Sequence, residues 1–108
     1  MQKHVMLVYS DPTPGREDEY NAWYNDVHLK EVLATEGFVR AQRFKVSDIM
    51  PGVTDHKYVA IYEIEADDLE GAMAALKSGI PGMTMSDAFN MKTSRTVLAS
   101  AVSDLVEG

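Results

Sequence analysis

Three features of this 108-residue chain predict an α+β fold. Short apolar stretches of β character occur at 4 to 10, 38 to 46, 57 to 65 and 89 to 100. Two amphipathic helical patterns lie between the first and second of these and between the third and fourth. Turn residues join them, with no internal repeat, linker or low-complexity segment. The order β-α-β-β-α-β gives one four-stranded antiparallel sheet with both helices on one face, the ferredoxin-like arrangement. The length suits a single domain over 1 to 108.

The first strand, His-Val-Met-Leu-Val-Tyr-Ser at 4 to 10, stops at Asp11-Pro12-Thr13-Pro14-Gly15. Val5, Leu7 and Tyr9 alternate with Met6 and Val8, so both faces of the sheet ask for cover. Glu17, Asp18 and Glu19 open the first helix, where the positive end of the backbone dipole favours carboxylates. Tyr20, Trp23, Tyr24 and Val27 form its apolar stripe, and Gly37 supplies a left-handed stop. Residues 38 to 46 read as the second strand. An exposed connection with Pro51-Gly52 follows. In the third strand Tyr58, Ala60, Tyr62 and Ile64 share one face, with Val59 and Ile61 on the other. Asp67, with Glu70 three residues on, resembles a capping box, and Leu69, Ala72, Met73 and Leu76 then recur at helical spacing as far as Gly79 and Pro81. Residues 89 to 100 resume β character. The last eight residues read as a tail, an edge extension or a partner-clasping arm.

Two helices cover only one face of such a sheet. Met6, Val8, Val59 and Ile61, or the opposite set, would then meet water. A homodimer formed through the sheet face is therefore expected.

Composition narrows the function. A hydrophobic share of 45% and a charged share of 25% are ordinary for a globular protein. The net charge of −7 and the ten scattered basic residues argue against a nucleic-acid partner. Without cysteine there is no disulfide, thiol nucleophile or Cys-ligated metal. The three histidines, His4, His28 and His56, are not at ligand spacing, so no metal site is expected. Glycine-rich phosphate loops and a Gly-x-Ser-x-Gly elbow are missing, so no cofactor is expected either. No stretch approaches the roughly 18 apolar residues of a membrane span, and a cytoplasmic protein is the expectation.

The chemistry centres on His28. It is the side chain best able to move protons near neutral pH, and it follows Tyr24 by four residues on one helix stripe. An aromatic-lined cleft between helix and sheet suits a small apolar or aromatic ligand. Trp23 and Tyr24 either line that cleft or fill the core. Arg43 alternates with Ala41 and Val39, whereas Arg40 shares its face with Gln42 and Phe44. One of the two arginines should point inward, and Arg43 is the candidate, either to bind a carboxylate or enolate oxygen or to pair with a helix carboxylate. Tyr9 and Tyr62 on neighbouring strands either reach the cleft or fill the core. Asn90, with Asp87, is placed to orient a ligand or to shape a turn.

At Trp23-Tyr24, His28, Gly37-Phe38 and Arg43-Phe44 the chain resembles the EthD-like families of the dimeric α/β-barrel superfamily. It differs from their pattern at Lys30, where a proline often follows the histidine, and at Glu36, where a proline often precedes the glycine. The resemblance implies a dimeric barrel and a helix histidine lining a cleft, which serves in some members as a proton-transfer residue. Three functions compete. The first is a cofactor-independent lyase, isomerase or cyclase acting on a small aromatic or lactone-like metabolite, with His28 as acid and base and Arg43 or a tyrosine hydroxyl at the developing oxyanion. The second is a non-catalytic hydrophobic-ligand-binding or oxygenase-accessory protein. The third is a haem-binding protein or cofactor-independent monooxygenase. Fold alone does not choose among them.

Overall fold

The computed structural model describes residues 1–50, 52 and 54–108. Strand β1 (Lys3–Ser10) leads into a helical segment made of α1 (Glu17–Trp23), a π-helical turn (Tyr24–His28) and α2 (Leu29–Leu33). Strands β2 (Phe38–Lys45) and β3 (Tyr58–Glu65), helix α3 (Leu69–Gly79), a 3-10 turn (Ile80–Gly82) and β4 (Arg95–Ser100) follow. The sheet order is β2-β3-β1-β4, and every pair is antiparallel. This is the expected ferredoxin-like topology. Pro51, half of the expected Pro51-Gly52 turn, lies outside the described residues.

Register assigns the faces. β1 pairs Met6 with Tyr62 and Val8 with Ala60, and directly opposed residues share a face. Met6, Ala60, Tyr62 and Ile64 are buried under the helices with Tyr20, Trp23, Tyr24, Val32, Ala72 and Leu76. Leu7 pairs with Ile61 and Tyr9 with Val59, so Val5, Leu7 and Tyr9 share the open face with Val59 and Ile61. The grouping of Met6 and Val8 with Val59 and Ile61 is therefore corrected. Alternation within each strand is right, but antiparallel pairing matches the odd positions of β1 with the odd positions of β3.

Strand β2 contains a second correction. Its register shifts between Phe38 and Arg40, where Phe38 faces Ile64 and Arg40 faces Glu63. This bulge reverses the alternation. Phe38, Ala41 and Arg43 consequently share the helix side, and Val39, expected there, is 43% exposed. Gly37 enters this strand at φ +92°, and its carbonyl accepts from Glu65 N at 2.8 Å. The left-handed residue is thus the predicted glycine, although the helix itself ends earlier, at Leu33.

Two boundaries also move. The N-cap of α3 is Asp68, whose carboxylate accepts from Glu70 N, and not Asp67. The last strand is shorter than expected, since Phe89 makes only an isolated bridge to Pro12. β4 is exposed along its whole length, and Val97 on the open face is 48% exposed. Among the described residues no helix is long and apolar enough to cross a membrane.

Candidate functional site

The π-helical turn decides what stands beside His28. Leu29 N donates to the carbonyl of Tyr24, five residues back, where an α-helix would bond four back. In a regular α-helix residues five apart point about 140° apart. Here the wider turn brings Trp23 and His28 into a stack, with ring centres 4.5 Å apart and planes at 18°. Tyr24 meets His28 edge to face at 5.1 Å.

The segment after α3 supports this stack from outside. Trp23 Nε1 donates to the carbonyl of Thr84 at 2.8 Å, and Thr84 N donates to both oxygens of Glu31 at 2.9 Å. Further on, Thr13 N donates to the carbonyl of Ala88 at 2.7 Å, which holds Phe89 within about 6 Å of the rings of Tyr20, Trp23 and Tyr24. The indole N–H of Trp23 is thereby used, and its ring is packed between His28, Tyr24 and Phe89.

From the sheet side, Arg43 comes over the ring of Tyr24, with its guanidinium carbon 4.3 Å from the ring centre. Its Nη1 donates to Asn25 Oδ1 at 2.8 Å and its Nη2 to Asn21 Oδ1 at 3.0 Å. Ser10 and Tyr20 share a buried hydroxyl–hydroxyl bond of 2.6 Å beneath. Four buried polar atoms of this neighbourhood have no hydrogen-bond partner: Tyr24 Oη, Tyr62 Oη, His28 Nδ1 and Arg43 Nε. The Tyr24 and Tyr62 hydroxyls face each other closely enough to shift each other's ionisation, although their geometry falls short of a full hydrogen bond, so His28 Nδ1 and Arg43 Nε are the more completely unpartnered pair. Unpaired buried polar atoms are costly, and a cluster of them needs an explanation.

Electrostatics give each group a protonation state. Burial lowers the pKa of His28 against the opposite pull of Glu31, so the imidazole is neutral near pH 7. Burial pushes the Tyr24 hydroxyl up to about 12 and that of Tyr62 higher still, so both stay protonated and can donate. The cluster therefore combines a neutral base, two phenol donors and a guanidinium among aromatic rings. That set can take a proton from carbon and hold a developing oxyanion.

Of the residues singled out in the sequence, His28, Trp23, Tyr24, Arg43 and Tyr62 come together. Tyr9 does not, because its odd register position puts it on the open face, where its ring lies 5.9 Å from that of His56. Asn90 is also elsewhere: its side chain accepts from Lys92 N in a local turn. Asp87 pairs with Arg16 at 2.8 Å. Arg40 pairs with Glu63 on the open face. His4 is buried, with Nε2 donating to the carbonyl of Ala66 and Nδ1 bonded to the Ser100 hydroxyl. His56 is similarly engaged, by Thr54 and the carbonyl of Thr93. Sequence reasoning missed Asn21, Asn25 and Tyr58. Their signal was available, since Asn21 and Asn25 repeat the four-residue spacing of Tyr20 and Tyr24, and Tyr58 shares the face of Tyr62.

The principal surface concavities open elsewhere, and His28, Tyr24, Arg43 and Tyr62 line none of them. No group of three His, Asp or Glu side chains among the described residues is placed to hold a metal ion.

The sequence matches no family model and no curated protein. Solved structures do match. An EthD family protein from Bacillus halodurans is similar over 94% of this chain and 100% of its own, at 15% identity and a TM-score of 0.63. The haem-degrader MhuD from Mycobacterium tuberculosis, with two haems bound in its active site, is similar over 95% and 99%, at 16% identity and a TM-score of 0.63. A dimeric ferredoxin-like protein of unknown function from Jannaschia is similar over 92% and 99%, at 8% identity and a TM-score of 0.62. At these identities the likeness is one of fold, and the chain carries the ferredoxin-like α+β fold that the EthD family protein also has.

Proposed function

We propose that this protein binds a small aromatic or lactone-like metabolite in the Tyr24–His28–Arg43 cluster and catalyses a cofactor-independent proton transfer, as a lyase, isomerase or cyclase. The carrying observation is that buried His28 Nδ1 and Arg43 Nε have no hydrogen-bond partner, beside two phenol hydroxyls that have at most each other, all in one aromatic neighbourhood. A ligand carbonyl or hydroxyl would supply the missing partners. His28, neutral through burial, takes a proton from the carbon beside the carbonyl and becomes imidazolium, while the electron pair moves onto the oxygen. Tyr24, Tyr62 or Arg43 donates to that oxygen, and His28 returns the proton at a second atom, so nothing is oxidised or reduced. A ligand would enter at His28 and Arg43, the two members of the cluster that are only partly buried.

The test is turnover of lactones and phenolic metabolites by the wild type and by His28→Gln. Loss of about 100-fold or more is expected, the ordinary scale of general acid–base catalysis. Unchanged turnover would remove His28 from the chemistry. Ligand binding that survives the substitution, with turnover in neither protein, would favour the non-catalytic carrier or oxygenase-accessory reading instead.

The likeness to MhuD favours haem as a second reading, but the residues suit it less. The cluster offers a single imidazole, His28, whose Nδ1 is buried and whose ring is already stacked on Trp23, and among the described residues no second side chain beside it is an imidazole or thiolate haem ligand. A Soret shift on haem titration that His28→Gln abolishes would put this reading first.

The same reading includes a second subunit over the open sheet face. Val5, Leu7, Val59 and Ile61 lie there side by side with the exposed Phe44 and Val97. The dimeric ferredoxin-like protein from Jannaschia supports it.

A further inference from the structure

Resting on the site proposed above, we infer that its ligand is a carboxylate, specifically an aromatic or alicyclic monocarboxylate, and that Arg43 is the counter-ion. The four arginines of the chain differ in how their charge is met. Arg16 pairs with Glu19 and Asp87, and Arg40 with Glu63. Arg95 is exposed, and water screens it. Arg43 is half-buried and, among the described residues, has no carboxylate at ion-pair distance. Its surroundings are the rings of Tyr20, Tyr24 and Tyr58, all within 5.1 Å of the guanidinium carbon, and the amide oxygens of Asn21 and Asn25.

The hydrogen-bond polarity of these partners is forced. Arginine can only donate, so Asn21 must turn its oxygen to Arg43 and its Nδ2 to Tyr58 Oη at 3.3 Å. Tyr58 then spends its own proton on Glu17 Oε2, at 2.5 Å. Glu17 is thus separated from the guanidinium by two neutral side chains. Aromatic faces and amide dipoles stabilise a cation without neutralising it. A partly desolvated charge in a protein with 17 acidic residues would ordinarily have been given one of them.

The unused donors describe the missing partner. Nε–H is buried and free, and each Nη nitrogen retains a hydrogen beyond the one given to an asparagine. Nε–H with one of these forms the side-on edge that receives a carboxylate through two parallel bonds. A single cation among tyrosine rings suits a monoanion attached to a flat hydrocarbon, not a polyphosphate.

Three acid–amide pairs test this on the full chain: benzoate and benzamide, phenylacetate and phenylacetamide, cinnamate and cinnamamide. The indole resonance of Trp23, the only tryptophan, reports binding without any turnover. At least one acid should bind tenfold or more tightly than its amide. Arg43→Gln should bring that ratio within twofold while the amide still binds. Arg43→Lys, which keeps the charge and loses the fork, should leave an intermediate ratio and decides the matter if the glutamine variant fails to fold. Equal binding of acid and amide would overturn the inference and leave the aromatic site standing. A preference that persists in Arg43→Gln would overturn the role of Arg43. If no member of any pair binds, the inference and the small-aromatic reading fall together, whereas a preference without turnover by any substrate would remove only the catalytic reading.

Discussion

Burial withholds a proton from His28, and this has a consequence for stability. Its pKa in the folded protein lies below the usual 6.5, while in the unfolded chain it returns to that value. Below pH 6.5 the unfolded state therefore binds more protons, and the contribution of His28, complete above 6.5, is lost as the pH falls through the folded value. Wild-type urea midpoints should drop between pH 7.5 and 5, and His28→Gln should drop less. Identical pH profiles would mean that the imidazole is as solvated folded as unfolded. His28, Trp23 and Tyr24 were legible because they lie within six residues on one helix. Tyr9 was misplaced because a strand's alternation does not say which parity faces the helices.

At the scale of elements, two local irregularities build the candidate site. The π-helical turn lets Trp23 stack on His28, and the bulge in β2 turns Phe38, Ala41 and Arg43 to the helix side. Without the bulge, Phe38 and Arg43 would lie on opposite faces. Helix α3 allows a direct comparison of neighbouring residues. The Asp68 side chain accepts from Glu70 N, whereas Asp67 makes only an exposed contact with the N-terminal ammonium at 3.9 Å. Asp68→Ala should cost about 1 kcal/mol in urea denaturation and Asp67→Ala close to nothing. The reverse order would restore the cap that the Asp67-x-x-Glu70 spacing suggests.

On the scale of the whole molecule, the sheet is covered on one side. The open face carries Val5, Leu7, Val59 and Ile61 at its centre, between the ion pair of Arg40 with Glu63 at one end and the ring of Tyr9 on His56 at the other. Sedimentation should show a species of twice the 12.0 kDa chain mass. Val59→Lys, which places a charge on this face, should reduce it to the single-chain mass with the melting transition retained. Met6→Lys should instead lose the fold, because Met6 is 4% exposed beneath the helices. A Val59→Lys protein that sediments like wild type would mean that this face is not the subunit interface.

Element type and order follow from periodicity, which is local: apolar residues two apart make strands, and those three and four apart make helices. The chain by itself therefore determined the four strands, the helical segments, Gly37 as a left-handed residue and the neighbourhood of Tyr24 and His28. Only the tertiary structure decided which strand faces meet the helices, since antiparallel register depends on a partner far away in sequence. It also decided that Arg43 lies among three tyrosines and two asparagines. A bulge and a π turn each shift a pattern by one residue, and they persist because the packing around them compensates the lost regularity.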